Sequence, residues 1–183
     1  MATDTDTDNQ TPHDQAPEMD DLMREHRHAA ADHVLRQYTL GGMAVGLVPI
    51  PVVDLAVLVA LQLKMLHSLA GVYDIEFKAD LGHSAIASLI GSTVSTSLSP
   101  TLAASLGKFM PVIGQTLSSG AAVLLNGAAT YAVGKVFIQH FASGGTFLSF
   151  DPEAVRDYFK TQLQEGGRVA AELHKAKTKN TAS

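Results

Sequence analysis

The middle of this sequence carries very little charge, and that feature most limits what the chain can fold into. Between Leu40 and Phe150 only eight residues are Asp, Glu, Lys or Arg, which is about 7% of that stretch. Ordinary soluble domains contain roughly 25% of such residues. Because a surface exposed to water needs more charge than this, we expect lipid or neighbouring protein to cover part of the stretch.

The two ends of the chain differ from this middle. Residues 1–18 are polar and acidic, with almost nothing to bury, which predicts a disordered acidic tail. Residues 177–183 are predicted to be a disordered basic tail. The intervening residues 19–176 are enough for one domain with a sizeable core. We therefore expect one helical domain between two tails.

Helix formers and helical spacing of apolar residues dominate the sequence, and no alternating strand pattern is present. We predict an all-α bundle of about five to six helices. The predicted helices are 19–48, 51–72, 81–98, a short one at 101–109, 112–141, and a last one that opens at Asp151.

Two prolines interrupt the first long apolar run. Pro49 disfavours helical geometry in the residue before it, and Pro51 suits the first position of a new helix. These preferences predict a tight elbow at residues 48–50 and a helical hairpin around it.

The stretch 40–58 is hydrophobic enough to be a candidate for crossing a membrane, but the two prolines and Asp54 lie in its middle. A spanning helix needs about 20 continuous apolar residues. A hairpin with its elbow in or near the bilayer therefore fits better than one straight helix. The stretches 84–107 and 109–134 are also long enough to cross, but their small and hydroxylated residues are typical of helices packed against helices.

Small residues at helical spacing predict close helix contacts. Gly42 and Gly46 form one such pair, and Ala128 and Ala132, with glycines nearby, form another. Tight packing in a soluble bundle explains these pairs as well as packing in a membrane does.

Asp54 is the one carboxylate in the run from Leu47 to Gln62. In the first turn of a helix it would be stabilised by unpaired backbone N–H groups. Alternatively it pairs across the bundle, because a charge in apolar surroundings is costly without a partner; the candidate partners are Lys108, Lys135, His83 and Tyr131. A role in a proton or ion pathway is a third interpretation. Gln62 and Tyr131 could each donate or accept a hydrogen bond between helices, but a buried side chain with one satisfied hydrogen bond is the commoner case, so we expect structural roles for both.

No catalytic, cofactor or metal site is predicted. The chain has no cysteine, and its net charge of −5 gives no basic surface for nucleic acid. The segment 127–136 has the wrong glycine spacing for a phosphate-binding loop. Glu25, His28 and Asp32 share a helix face at a spacing that fits metal ligands, but a solvated charged face explains them better.

Several motifs, in order, resemble the DUF697 (YcjF-like) family over about residues 30–145. They are Pro49-x-Pro51-x-x-Asp54, Gln62-x-x-Met65-Leu66, Tyr73, Pro111-x-x-Gly114 and Thr130-Tyr131-Ala132-Val133-Gly134. The resemblance implies an all-helical domain of unestablished biochemical role, found in bacterial membrane-associated proteins and often attached behind a Ras-like GTPase domain. It supplies no catalytic residues.

From the residues and the resemblance together we expect a membrane-associated interaction module and no enzyme. The expected partners are membrane lipid and a GTPase supplied in trans, since this chain has no GTPase domain of its own. The expected location is the bacterial cytoplasmic membrane, with the N-terminus in the cytoplasm. The alternatives are a soluble bundle that associates with itself as a homo-oligomer, and a pore-like or transport protein.

Overall fold

A computed structural model of the chain describes residues 12–47, 51–97 and 119–181, with some side chains in these ranges left out, among them those of 51–55 and 92–97. Within these ranges there are five α-helices, one 3₁₀ turn at Phe147–Ser149 and no β-strand, which confirms the all-α prediction. The helices are α1 (Pro12–Val45), α2 (Pro51–Val72), α3 (Ala79–Ser97), α4 (Ser119–Ala142) and α5 (Arg156–Thr181).

The helix boundaries agree best with the sequence where proline and glycine mark them. Helix α2 has the predicted bounds. Its start at Pro51 is favourable, because the first residue of a helix needs no backbone N–H and proline has none. Helix α1 begins at Pro12, inside the segment 1–18 that was predicted to be a tail, and α5 continues to Thr181, beyond residue 176. The polar composition of these segments provides no helical pattern of apolar residues from which the ends of α1 and α5 could be predicted. The elbow at 48–50 and the predicted helical residues 101–109 and 112–118 lie outside the described residues.

Helix α4 is the central element of the bundle and packs against the other four helices. Most of its side chains are buried, including Val133, Phe137 and Phe141. A helix that is apolar on nearly every face is stable in water only when neighbours surround it. The composition of α4 therefore decides its central position.

Contacts between side chains show that neighbouring helices are antiparallel. In the α1–α2 pair, Tyr38 Oη lies 3.1 Å from Ser68 Oγ, and Gly41 lies beside Leu61. Helix α4 runs antiparallel to α1, because Gly46 approaches Ala122 while Asp32 contacts Lys135. It runs antiparallel to α5, because Gly166 approaches Ala128 while Ala170 lies beside Gly127. Helix α3 contacts α2 at Gly82, which lies beside Leu63 and Leu66. The C-termini of α1 and α5 therefore lie at the same end of the bundle as the N-termini of α2 and α4.

Close contacts at small residues hold α1 and α5 against α4, as the spacing of glycine and alanine predicted. A Cβ atom on Gly46 would lie 2.6 Å from the backbone nitrogen of Val123, and one on Gly42 would lie 2.4 Å from Thr130 Oγ1. Gly127 meets the side chains of Met43 and Ala170 in the same way. The backbones approach closely only because these positions have no side chain.

Aromatic rings fill the core at the end of the bundle where α4 terminates, which is opposite to the end where α1 terminates. Phe137 stacks on Phe150 with ring centroids 4.6 Å apart, and Phe147 meets Phe77 edge to face at 5.5 Å. His140 Nε2 lies 2.9 Å from the carbonyl oxygen of Thr146 and fixes the turn between α4 and the 3₁₀ segment. These contacts connect the turn after α2, the end of α4 and the segment between α4 and α5.

Two adjacent glycines in α5 provide a direct test of the close approach between α5 and α4. A Cβ on Gly166 would lie 2.7 Å from the carbonyl oxygen of Ala128, whereas a Cβ on Gly167 would meet nothing within 4 Å. We expect Gly166→Ala to destabilise the fold by about 1–3 kcal/mol through overpacking. Gly167→Ala should stabilise it by about 0.5–1 kcal/mol, since alanine favours a helix. Thermal unfolding followed by circular dichroism measures both; equal effects of the two substitutions would contradict this packing.

Candidate functional site

Buried polar side chains lie where α1, α2 and α4 meet. Thr39 Oγ1 donates to the carbonyl oxygen of Leu35 at 2.8 Å, and Thr130 Oγ1 donates to that of Asn126 at 2.8 Å. Gln62 is fully buried, and within the described part of the chain neither its Nε2 nor its Oε1 has a hydrogen-bond partner. The two threonines are satisfied within their own helices, whereas the one satisfied hydrogen bond expected for Gln62 is not formed among the described residues.

Tyr131 and Gly134 lie on the next turn of α4 and have different neighbours. Gly134 gives room to Leu35 and Met65, whose side-chain atoms would lie 2.3 and 3.2 Å from a Cβ there. Tyr131 is partly buried, and Lys135 Nζ lies 5.9 Å from the centre of its ring. Burial raises the pKa of the Tyr131 hydroxyl, so it stays protonated at neutral pH.

An ion pair joins α1 to α4 beside this tyrosine. Lys135 Nζ donates to Asp32 Oδ1 at 2.9 Å. Burial alone would lower the pKa of Lys135, but the hydrogen bond and negative charge of Asp32 outweigh it and raise the pKa. Lys135 therefore stays positively charged at neutral pH. The sequence suggests Lys135 as one candidate partner for Asp54 and places Asp32 on a solvated face, so it does not predict the Asp32–Lys135 ion pair.

The ion pair lies in a groove of about 490 Å³ between α1, α4 and α5. Its lining includes both signs of charge, since Arg36 and Lys135 lie there with Asp32 and Glu172. In the described ranges no three His, Asp or Glu side chains converge as metal ligands. The groove provides charge and hydrogen-bonding groups, and its lysine is already held by a carboxylate.

The remaining candidates from the sequence have less structural detail. Pro51 and Asp54 lie on the first turn of α2, and the structure does not describe their side chains. Pro49, Pro111 and Gly114 are outside the described residues altogether.

The hydrophobic stretch 40–58 is divided between α1 and α2. Among the helical segments that the structure describes, none combines the length and hydropathy required to cross a membrane. The expectation of a transmembrane helix is therefore not met in these segments.

The bundle has an apolar end, which sequence reasoning did not locate. Four large apolar side chains are exposed there: Leu40 (41%), Leu47 (55%), Val57 (45%) and Leu125 (49%). Leu40 comes from the C-terminal part of α1 and Leu47 from the turn that follows it, while Val57 and Leu125 come from the N-terminal parts of α2 and α4. The antiparallel packing brings these segments to the same half of the bundle. We call these four residues the apolar end.

The opposite end is charged. It contains the turn between α2 and α3 and the start of α5, with acidic and basic side chains at Asp74, Glu76, Lys78, Asp80, Glu153, Arg156 and Asp157. Arg27 on α1 pairs with Asp74 at 3.2 Å. Of the eight large apolar side chains that are exposed in the described residues, four form the apolar end, and the other four, Met19, Leu22, Met23 and Leu148, lie elsewhere.

Gln62 gives a prediction because its amide is buried without a described partner. Replacing a buried unsatisfied polar group by an apolar one of similar shape removes a desolvation cost of about 1–3 kcal/mol. We therefore expect Gln62→Met to raise the free energy of unfolding by about that amount, measured by denaturant unfolding. Gln139→Met, at an exposed position on α4, is the control and should change little. A loss of stability in Gln62→Met would mean that the amide is hydrogen-bonded after all.

Comparison with known proteins agrees with the resemblance in the motifs. The family described as "Domain of unknown function (DUF697)" matches residues 15–168. "Magnetosome membrane protein 22" of Magnetospirillum gryphiswaldense is 35% identical over 147 residues, which are 80% of this chain and 75% of that protein. No solved structure matches the chain. The family match covers most of the sequence, and the chain belongs to the DUF697 family.

Proposed function

We propose that this protein is a membrane-associated helical binding module whose apolar end docks into a lipid bilayer. The observation that carries the proposal is the collection of Leu40, Leu47, Val57 and Leu125 at one end of the bundle. Three separate helical regions contribute them, so the apolar surface exists only in the folded chain.

The surroundings of these residues distinguish them from other exposed apolar side chains. Met19, Leu22 and Met23 on α1 are also exposed, but Asp20, Asp21 and Arg24 lie between and beside them. Exposed apolar residues scattered among charges are normal in soluble proteins, whereas a contiguous apolar surface marks an interaction site. The immediate neighbours of Leu40 are Thr39 and Gly41, and those of Val57 are Ala56 and Leu58, so none of them is charged; Asp54, three residues before Val57, is the nearest acidic residue in the sequence.

The comparisons support a membrane role, because the relative from Magnetospirillum gryphiswaldense is named as a membrane protein. We propose the bacterial cytoplasmic face as the site of docking, with the N-terminus in the cytoplasm. The role proposed is binding and not catalysis. In the groove, the Lys135 ammonium is engaged by Asp32 and the Tyr131 hydroxyl is kept protonated, so neither is prepared to act as a base.

Removing the apolar end tests the proposal. In the variant Leu40→Ser, Val57→Ser, Leu125→Ser, three partly exposed side chains lose contacts with lipid worth about 1 kcal/mol each. We expect its affinity for liposomes to fall on the order of a hundredfold, measured by flotation of the purified full chain.

The matched control is Met19→Ser, Leu22→Ser, Met23→Ser, which removes as many exposed apolar side chains from α1 at the charged end. It should float with liposomes as the unchanged protein does. Circular dichroism checks that both variants are folded. Failure of the unchanged protein to float, or equal losses in the two variants, would contradict docking through the apolar end.

A second copy of the chain is the alternative occupant of the same surface, because an apolar end buried in a dimer is also removed from water. Sedimentation in plain buffer distinguishes the two. A stable dimer that the three serine substitutions separate into monomers, with no flotation of the unchanged protein, would favour self-association over lipid.

We also propose a GTPase as a partner in trans, on the basis of the family resemblance. The N-terminal part of α1 is available to it, since every residue from 19 to 30 is exposed. We expect recovery of a GTPase from bacterial extract with the immobilised chain to depend on whether GTP or GDP is present. Equal recovery with no GTPase in either sample would contradict this part of the proposal.

A further inference from the structure

The C-terminal part of α5 places two lysines next to the apolar end. Lys175 and Lys179 are exposed and four residues apart, so they lie on the same side of the helix. Leu173, two residues before Lys175, packs against Met43 and Val123 from the last turns of α1 and the first turns of α4. That contact fixes the height of the lysines along the bundle.

Lys175 shares a crevice with one residue of the apolar end. Together with Leu125 it lines a crevice of about 230 Å³ between α4 and α5. Lysine side chains can lay their apolar stem along such a surface while the ammonium group reaches a polar layer. An exposed leucine beside an exposed lysine is the arrangement expected where a protein meets the boundary between lipid tails and headgroups.

The distribution of charge makes this end unlike the rest of the molecule. The chain as a whole has a net charge of −5. Of the acidic side chains that the structure describes, Glu172 lies closest to the lysines along α5, and most others lie toward the charged end or on the exposed part of α1. In the described residues neither Lys175 nor Lys179 forms an ion pair, whereas Lys78 and Lys160 at the charged end pair with Glu76 and Asp157.

From these observations we infer that the apolar end docks selectively on bilayers that contain anionic phospholipid, with Lys175 and Lys179 contacting the headgroup phosphates. This inference rests on the proposed function and adds to it the class of lipid. Basic residues close to an anionic bilayer each contribute about 1 kcal/mol, or roughly a fivefold gain in affinity. Two lysines therefore give a preference of roughly 20-fold for anionic over zwitterionic vesicles. Salt weakens this preference, because the charges are exposed.

Binding of the full chain to two kinds of vesicle tests the inference. One contains phosphatidylcholine alone, and the other contains phosphatidylcholine with added phosphatidylglycerol. We expect the unchanged protein to bind the anionic vesicles roughly 20-fold more tightly. The variant Lys175→Gln, Lys179→Gln should lose most of this preference while its binding to phosphatidylcholine stays the same.

The matched control is Lys78→Gln, Lys160→Gln, which changes the net charge by the same amount at the opposite end. It should keep the preference for anionic vesicles. Equal binding of the unchanged protein to both vesicles, or equal losses in the two variants, would overturn the lipid selectivity and leave docking intact. No binding to either vesicle would overturn the proposed function and, with it, this inference.

Discussion

The close approach of α1 and α5 to α4 is the constraint on which the rest of the structure depends. At Gly46 and Gly166 the neighbouring atoms are backbone atoms of α4, which cannot move aside as the end of a side chain can. Glycine at these positions therefore fixes both the distance and the register between the helices. A shift of one turn would bring other side chains into these contacts and separate Asp32 from Lys135.

The fixed register gives the bundle two chemically different ends. Aromatic stacking around Phe137 and ion pairs such as Arg27–Asp74 occur at one end, and exposed leucines and valine occur at the other. The basic C-terminal part of α5 reaches the apolar end because α5 is antiparallel to α4. Membrane docking and selectivity for anionic lipid are proposals about this one surface, and both depend on helices that are far apart in the sequence.

Some features of the fold were predictable because they depend on local chemistry. Pro51 defined the start of α2, and the pairs of glycine and alanine indicated where helices approach. Polar composition was a poorer guide at Pro12 and Thr181, where helices extend into segments predicted to be tails. The Lys135 partner was missed, because Asp32 lies 103 residues away in the sequence and no spacing rule connects the two.

The sequence by itself determined that the stretch from Leu40 to Phe150 carries only eight charged residues, and that the chain is helical. Both follow from composition and from spacing within single helices. The tertiary structure alone decided which apolar residues are exposed. Leu35 and Leu40 lie five residues apart on α1, yet the first is buried against Gly134 and the second is exposed at the apolar end. Their environments depend on where α4 packs, which no local pattern specifies.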